Sequence, residues 1–375
     1  MKKIQMVDLH SQYTKIKEEI DASIAEVINS ASFIKGPKVA EFQAHLEQYT
    51  GAKHVINVGN GTDALQIALM GLGLQPGDEV ITPTFTFIAT AEVVALLGLT
   101  PVVVDVDWET MNMDIESVRR AITPHTKAIV PVHLFGQCAN MEAIMELANE
   151  HHLYVIEDAC QAIGAQYTFS NGVTKQAGTI GHIGCTSFFP SKNLGCYGDG
   201  GAIFTNDDEL ADKMQAIANH GCHIRYHHDE VGVNSRLDSI QAAVLDAKLP
   251  HLNEYIAARQ KAAAYYDKAF ADNEKLLIPG REPHSTHVFH QYTLRVVGAD
   301  RDALREGLAA RGIPAMIYYP VPLHQQKAYL DPRYKDGDFP AAERLAACVL
   351  SLPMHTELDE EQLQFITSSV LDLIR

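Results

Sequence analysis

Short apolar runs rich in β-branched residues alternate with helical patterns through the first 220 residues of this 375-residue chain. Runs that are apolar along their whole length are typical of strands covered by helices on both faces of a parallel sheet. The alternation therefore predicts an α/β domain with a mostly parallel sheet, whose ligands collect where strands lead into helices. The predicted strands are 54–58, 79–83, 101–106, 127–133, 153–157, 186–189 and 202–205, with helices such as 62–71 and 141–151 between them.

The pattern changes after residue 235. A long alanine-rich helical stretch, broken at Pro250, covers about 236–270. Because 375 residues exceed what one hydrophobic core usually serves, we predict two units. The first is a large α/β domain over 1–235 that includes an N-terminal helix, and the second is a linker helix with a small α+β domain over 236–375. The small domain should contain strands at 287–297 and 313–319 and helices at 302–311 and 360–374.

The composition is that of an ordinary globular protein, with 46% hydrophobic and 21% charged residues. A net charge of −17 disfavours binding to nucleic acid or to anionic membranes. Six cysteines are spread without metal-ligand spacing, which favours reduced thiols. No apolar run is long enough to cross a bilayer, and no leader-like segment follows Met1, so we expect a soluble, cytoplasmic protein.

Lys192 lies between a strand-like run and a cluster of glycines at 195–201. A buried ammonium costs free energy unless a partner or a chemical task retains it, and glycines allow a ligand to approach closely. A buried amine with a lowered pKa can attack a carbonyl, and pyridoxal phosphate is the commonest cofactor that uses a lysine in this way. Taken alone, the segment is equally compatible with a glycine-rich surface loop that carries a solvated lysine.

A second segment, 57–65, runs from a strand through two glycines into a helical pattern. Gly61 and the Thr62 hydroxyl, together with the unpaired amides and the dipole of the helix, could receive a phosphate. A plain glycine turn followed by a helix N-cap explains the same residues. The segment has neither a full G-x-G-x-x-G pattern nor a Walker lysine.

Three further residues lie at predicted strand ends. A carboxylate at Asp158 could keep a pyridine nitrogen protonated, and Gln161 could contact a ring hydroxyl. Phe87 could lie flat against a planar cofactor. Helix capping by Asp158 and core packing by Phe87 are the alternatives. A group of histidines between 220 and 228 lacks a completed ligand set, and we predict no metal site.

Five motifs occur along the chain in a fixed order. They are Gly61-Thr62-Asp63-Ala, Phe87, Asp158-x-x-Gln161, Ser187-Phe-Phe-Pro-Ser-Lys192 and Val233-Asn234-Ser-Arg236-Leu-Asp238. In this order they resemble the DegT/DnrJ/EryC1/StrS sugar aminotransferases, and the match covers almost the whole chain. The resemblance implies a fold-type I pyridoxal-phosphate enzyme that forms a homodimer with two active sites at the subunit interface.

The resemblance also implies a role for each residue. Lys192 would carry the cofactor as a Schiff base, Asp158 would face the pyridine nitrogen, and Gln161 would face the ring oxygen. Phe87 would stack on the ring, and Tyr319 and His324 would lie near the sugar nucleotide. The phosphate would be held by Gly61, Thr62, Asp63 and Ser187, with Asn234 reaching it from the other subunit of the dimer.

The implied reaction moves the amino group of L-glutamate to a nucleotide-linked keto-sugar. Lys192 would serve first as the Schiff-base amine and then as the free base that moves a proton between the substrate carbon and the cofactor. The residues of these motifs are most similar to those of the branch of the family that acts at C3 of nucleotide-linked keto-sugars. That branch includes enzymes that use UDP-linked 2-acetamido-3-keto-glucuronate and enzymes that use dTDP-linked 3-keto-6-deoxyhexoses. Of these we expect a UDP-linked 2-acetamido-3-keto sugar as acceptor, in the synthesis of glycan and polysaccharide precursors.

Two other functions are compatible with this fold. One is a pyridoxal-phosphate sugar dehydratase or another lyase. Some dehydratase relatives have histidine at the position of Lys192, so the lysine favours amino transfer. The other is a noncatalytic regulator that binds a sugar nucleotide, for which a Schiff-base lysine would be unnecessary.

Overall fold

The computed structural model describes residues 2–375, and those residues form twelve strands in three sheets. The largest sheet has seven strands, a three-stranded sheet lies in the C-terminal part, and a hairpin forms a third sheet. In chain order the strands are β1 (His54–Val58), β2 (Glu79–Pro83), β3 (Thr100–Val104), β4 (Thr126–Ile129), β5 (Tyr154–Asp158), β6 (Gln166–Thr168), β7 (Thr174–Gln176), β8 (Ile183–Ser187), β9 (Gly201–Thr205), β10 (Leu276–Leu277), β11 (Tyr292–Val296) and β12 (Val349–Leu352).

The α-helices surround these sheets, and three of them precede β1 rather than the single one predicted. The helices predicted at 62–71, 141–151, 302–311 and 360–374 are present to within a residue or two at each end. In chain order they are α1 (Leu9–Lys15), α2 (Lys17–Ser30), α3 (Pro37–Thr50), α4 (Gly61–Gly71), α5 (Ala89–Leu96), α6 (Ile115–Ala121), α7 (Met141–His151), α8 (Asp208–Ile217), α9 (Ser239–Lys248), α10 (Leu252–Phe270), α11 (Arg301–Ala310), α12 (Pro340–Cys348) and α13 (Glu360–Leu373).

The seven-stranded sheet has the order β1-β9-β8-β5-β4-β2-β3. Its neighbours from β8 to β3 pair in parallel, while β9 runs antiparallel to both β8 and β1. Adjacent residues on one strand enter different hydrophobic clusters, as Val155 and Ile156 of β5 do. Because successive side chains point to opposite faces, both faces of the sheet are covered, which confirms the predicted α/β class with a mostly parallel sheet.

The C-terminal part contains the antiparallel sheet β10-β11-β12, whose apolar residues form a cluster with those of α10, α11 and α13. The strand predicted at 287–297 begins only at Tyr292, because a turn with a positive φ at Phe289 precedes it. The strand predicted at 313–319 is wrong. Met316 makes a single bridge to Ser351, and Pro314 and Pro320 on either side lack the N–H that a longer ladder needs.

The linker stretch is divided as expected at Pro250. Helix α9 ends at Lys248, a 3₁₀ turn covers Leu249–His251, and α10 follows it. Ala242 and Leu245 of α9 belong to the same hydrophobic cluster as Phe42 of α3. The boundary at 235/236 between two domains stays a prediction.

Trp108, which is the only tryptophan in the chain, lies where the α/β part meets the C-terminal part. The guanidinium groups of Arg295 on β11 and Arg344 on α12 lie over its ring, 5.1 and 4.0 Å from the centroid. Arg295 also donates to the Trp108 carbonyl at 2.7 Å and to the Glu109 carboxylate at 2.8 Å. Cation–π contacts and charge-assisted hydrogen bonds therefore join the two parts.

Within residues 2–375, we find no helix that has both the length and the apolar character needed to span a membrane.

Candidate active site

A cavity of about 680 Å³ opens at the carboxyl ends of β5 and β8. This is the edge of a parallel sheet at which ligands are expected. Most of the side chains singled out from the sequence meet there. The predicted residues that line the cavity are Gly61, Thr62, Asp63, Phe87, Asp158, Gln161, Ser187, Lys192 and Tyr319.

The N-terminus of α4 forms one wall of the cavity. Asn60 caps this helix, because its side-chain oxygen accepts a hydrogen bond of 2.8 Å from the Asp63 amide. A Cβ atom added to Gly61 would lie 2.8 Å from the Ser187 Cβ and 2.9 Å from the Cys160 Sγ. Only glycine therefore lets the helix end approach β8 so closely, and the first turn can offer backbone amides to an anion.

The same helix end is also fixed by Ser235, which lies in the segment just before α9. Ser235 Oγ donates to Asp63 Oδ2 at 2.6 Å, and it accepts from the Gly59 amide at 2.8 Å. The Asp63 carboxylate is thus bound to a residue 172 positions away in the sequence.

Asp158, the last residue of β5, presents its carboxylate to the cavity. Its Oδ2 accepts from the Thr90 hydroxyl at 2.8 Å, and its Oδ1 accepts from the Cys160 amide at 3.3 Å. The backbone is held as well, because the His133 amide donates to the Asp158 carbonyl at 3.0 Å. The bonds from Thr90 and Cys160 fix the orientation of the carboxylate.

The neighbouring Glu157 has a different environment, although it is also a buried carboxylate. It accepts from His133 Nε2 at 2.8 Å and from the amides of Gly178, Ile180 and Gly181 at 2.6–2.8 Å. Both Glu157 and His133 are fully buried and are absent from the lining of the cavity. The alternation of a strand thus gives Glu157 a structural task and leaves Asp158 for a ligand.

The Lys192 side chain lines the cavity, and no described residue forms a hydrogen bond or an ion pair with its Nζ. Burial lowers the pKa of this ammonium, while nearby Cys160 and Asp158 act in the opposite direction. The backbone of Lys192 is nevertheless fixed, because its amide donates to the Phe189 carbonyl at 2.8 Å. An unbonded amine with a lowered pKa is suited to attack a carbonyl.

Aromatic side chains form another part of the cavity wall. Phe87 is 52% exposed, and its ring centroid lies 6.2 Å from that of Tyr319. The Tyr319 hydroxyl accepts from Gln161 Nε2 at 3.1 Å, and Gln161 Oε1 accepts from the Phe135 amide at 2.8 Å. Phe87 therefore offers a free aromatic face, while Gln161 is held in one orientation by two protein partners.

Two predicted residues lie outside this cavity. Asn234 pairs through its backbone with Asn219, and the residues after it line a separate depression of about 380 Å³. His324 is buried, with Nδ1 2.8 Å from Thr84 Oγ1 and Nε2 3.3 Å from Glu343. A role for Asn234 across a subunit interface and a sugar contact for His324 both stay predictions.

The histidine group at 220–228 forms a loop held by local contacts, such as that of His228 Nδ1 with the His220 carbonyl at 2.8 Å. Within the described part of the chain, no three or more His, Cys, Asp or Glu side chains are grouped so as to hold a metal ion.

Several residues of the site were not singled out from the sequence. Thr90 follows Phe87 by one helical turn, and Ser235 lies inside the 233–238 motif, so spacing could have indicated both. His290 and Gln291 also line the cavity, but they fall in a segment that was taken for strand. Only the tertiary fold brings that segment to Lys192.

The donor set fits the phosphate, ring and carbonyl of pyridoxal phosphate. A glycine-dependent helix end, a free aromatic face, a fixed carboxylate and an unbonded amine surround one cavity. With the seven-stranded sheet, they define a fold-type I pyridoxal-phosphate-dependent transferase.

Comparisons with known proteins agree with this class. The profile of the DegT/DnrJ/EryC1/StrS aminotransferase family matches residues 14–371. A curated relative from Pseudomonas aeruginosa, named UDP-2-acetamido-2-deoxy-3-oxo-D-glucuronate aminotransferase, is 48% identical over 98% of this chain and 99% of its own. Another, the "Pleiotropic regulatory protein" of Geobacillus stearothermophilus, is 48% identical over 99% of both chains.

A solved structure of DesV from S. venezuelae, described as a complex with a ketimine intermediate, superposes with a TM-score of 0.95. It is 40% identical and covers 100% of this chain and 99% of its own. The chain therefore belongs to the DegT/DnrJ/EryC1/StrS aminotransferase family. It is an aminotransferase, and its cofactor is pyridoxal 5′-phosphate.

Proposed function

We propose that this enzyme transfers the amino group of L-glutamate to a nucleotide-linked 3-keto sugar, with a UDP-linked 2-acetamido-3-keto sugar as the favoured acceptor. The observation that carries the proposal is the environment of Lys192. Its amine has no bonding partner among residues 2–375, lines a cavity of about 680 Å³, and shares that cavity with the fixed carboxylate of Asp158.

The residues of the chain divide the work. The α4 N-terminus, with Thr62, Asp63 and Ser187, would hold the phosphate group, and Phe87 would cover one face of the ring. The bound cofactor supplies the electron sink that stabilises negative charge on the substrate carbon. Asp158, whose carboxylate is fixed by Thr90 and Cys160, would keep the ring nitrogen protonated. Lys192 would act as the free base that moves the proton at the reacting carbon.

The choice of acceptor rests on the relatives. The Pseudomonas protein is named for UDP-2-acetamido-2-deoxy-3-oxo-D-glucuronate, and a relative from Acidithiobacillus ferrooxidans, 47% identical, is named for UDP-N-acetyl-3-dehydro-glucosamine. Both names describe a UDP sugar with a 3-keto group. Such a substrate supports a role for this enzyme in the cytoplasmic synthesis of glycan precursors.

We further propose a homodimer in which Asn234 completes the phosphate site of the other subunit. Two observations support this assignment. Asn234 lies outside the cavity of its own chain, and the neighbouring Arg236 lines a depression that is open to the surface.

The two alternative functions are less well supported. A lyase would release ammonia or water instead of transferring nitrogen, so 2-oxoglutarate formation from glutamate separates it from a transferase. A noncatalytic regulator is suggested by the name of the Geobacillus relative, but it would have no use for an unbonded amine beside a fixed carboxylate.

The first experiment is an absorbance spectrum of the purified protein between 300 and 500 nm, recorded before and after glutamate is added. A band at roughly 410–430 nm that moves to roughly 330 nm establishes lysine-bound cofactor and the donor half-reaction. A panel of 3-keto and 4-keto sugar nucleotides then tests the acceptor. No band after reconstitution with pyridoxal phosphate would refute the Lys192 chemistry, and exclusive use of a 4-keto sugar would refute the assignment to C3.

A further inference from the structure

Two consecutive residues of the cavity, His290 and Gln291, have no part in the chemistry described so far. Their side chains line the same space as Lys192, and the residues are only 7% and 8% exposed. Neither side chain forms a hydrogen bond with any described residue. Buried polar side chains are normally hydrogen-bonded, so two unused neighbours in an active-site cavity require an explanation.

The backbone of the turn that contains this pair is fixed by hydrogen bonds from the buried Arg259. Arg259 of α10 is 2% exposed, and its Nη1 donates to the carbonyls of Phe289 at 3.0 Å and His290 at 3.3 Å. On the cavity side, the Gln291 amide donates to the Phe135 carbonyl at 3.3 Å. The backbone is therefore fixed, and the unused side-chain groups are held in place before a ligand arrives.

The imidazole of His290 is neutral. Burial, with the charges of Lys192 and Arg259 nearby, lowers its pKa well below the usual value for histidine. Its Nδ1 is buried without a hydrogen-bond partner among the described residues, whereas its Nε2 remains accessible. An orphaned buried N–H is rarer than an orphaned acceptor, which favours the tautomer that carries its proton on Nε2, toward the cavity.

Gln291 adds a second neutral group to this edge. Its side-chain amide has two donor hydrogens and an acceptor oxygen. Both polar atoms can be reached from the cavity. The two residues together can both donate and accept hydrogen bonds, and neither carries a charge. This combination matches a sugar hydroxyl or acetamido group better than a carboxylate, which is recognised most strongly by cationic donors.

We infer that His290 and Gln291 form a neutral hydrogen-bonding edge that binds an oxygen of the acceptor sugar beside the reacting carbon. The inference rests on the proposed sugar aminotransferase function. The two residues would contribute to the acceptor half-reaction and not to the donor half-reaction. Glutamate, whose two carboxylates call for charged donors, would not depend on this edge.

The test uses the holoenzyme and measures each half-reaction separately by absorbance. His290→Phe and Gln291→Leu remove the hydrogen-bonding groups and keep similar bulk. Each should slow reaction of the pyridoxamine form with UDP-2-acetamido-2-deoxy-3-oxo-D-glucuronate, or with the keto-sugar of the panel that the wild type uses fastest. We expect a loss of about 10- to 100-fold, while the reaction with glutamate changes less than about 3-fold.

Two control variants accompany them. His290→Gln retains a donor near the position of Nε2 and should restore most of the acceptor rate. His287→Asn changes a buried histidine of the same turn that does not line the cavity, and it should alter both half-reactions alike. Gln291→Leu keeps the inference testable if His290→Phe does not fold.

The outcomes separate the inference from the function on which it rests. A wild type that reacts with glutamate but with no keto-sugar would refute the sugar aminotransferase function, and the inference with it. A wild type that turns over a keto-sugar, with variants that slow both half-reactions equally or only the glutamate reaction, would overturn the inference alone.

Discussion

Two lysines are associated with the segment 187–201, and they differ in what their amines bind. Lys192 belongs to the segment and lines the cavity with an amine that bonds to no residue the structure describes. Lys248, at the end of α9, is 1% exposed behind the segment. Its Nζ donates to the Gly195 carbonyl at 2.7 Å and lies 4.5 Å from the centre of the Tyr197 ring.

The difference shows that burial alone does not define a catalytic amine. Burial lowers the pKa of both groups, that of Lys248 to about 8. Lys248 uses its amine to anchor the chain that follows Lys192, whereas the free amine of Lys192 is available for a substrate or cofactor. Lys248 thus supports the loop, and the chemical role of Lys192 stays a prediction.

The largest effect is expected from Lys192→Met, which should lower kcat by at least about 10³-fold, because the amine that lines the cavity is lost. Its free energy of unfolding should be unchanged or higher, since an unpaired buried amine is replaced by an apolar chain. Steady-state kinetics and urea denaturation of the same preparation measure both quantities. Activity within 10-fold of wild type would remove the distinction between the lysines.

Thr90→Val is expected to have the next largest effect. It deletes the hydroxyl that donates to Asp158 and keeps the shape of the side chain. A hydrogen bond to a charged group contributes about 1.5–3 kcal/mol, so kcat should fall roughly 10- to 100-fold with little change in the KM for glutamate. Ser117→Ala, on the distant helix α6, serves as a matched hydroxyl deletion that should leave kcat unchanged.

The smallest effect on catalysis is expected from Lys248→Met, with kcat within about 10-fold of wild type. Stability should respond to pH instead. The unfolded chain keeps this proton up to about pH 10.5, and the folded chain releases it near pH 8, so the lysine becomes less unfavourable as pH rises between these values. Relative to the methionine variant, wild type should gain roughly 2–3 kcal/mol in unfolding free energy between pH 7 and 10.

Urea denaturation of wild type and Lys248→Met at several pH values measures this difference, and it cancels the other groups that titrate in the same range. A difference that does not change with pH would mean that Lys248 releases its proton at the same pH in both states. A loss of activity as large as that of Lys192→Met would show that the two lysines are not divided in function as we describe.

Much of the architecture followed from local patterns. The apolar runs predicted the seven strands of the large sheet to within a few residues, because a strand covered on both faces has a continuous apolar signature. The strand predicted at 313–319 failed because its apolar character reflects packing of an irregular, proline-flanked segment rather than pairing.

The candidate site was predictable where a motif lies at the end of one strand or in the loop that follows it, as for Asp158 and Lys192. The support for those residues was not, because it comes from distant parts of the chain. Thr90 is 68 positions from Asp158, and Lys248 is 53 positions from Gly195. The local sequence does not predict which of the two lysines donates a hydrogen bond to a carbonyl and which remains unbonded.

The position of Trp108 makes the protein its own fluorescent probe. Because the chain has one tryptophan and two guanidinium groups lie over its ring, its emission reports on a single place, the junction between the α/β part and the C-terminal part. Any ligand that moves one part against the other will change the distance from the indole to Arg295 or Arg344. Intrinsic fluorescence can therefore follow such movement without an attached label.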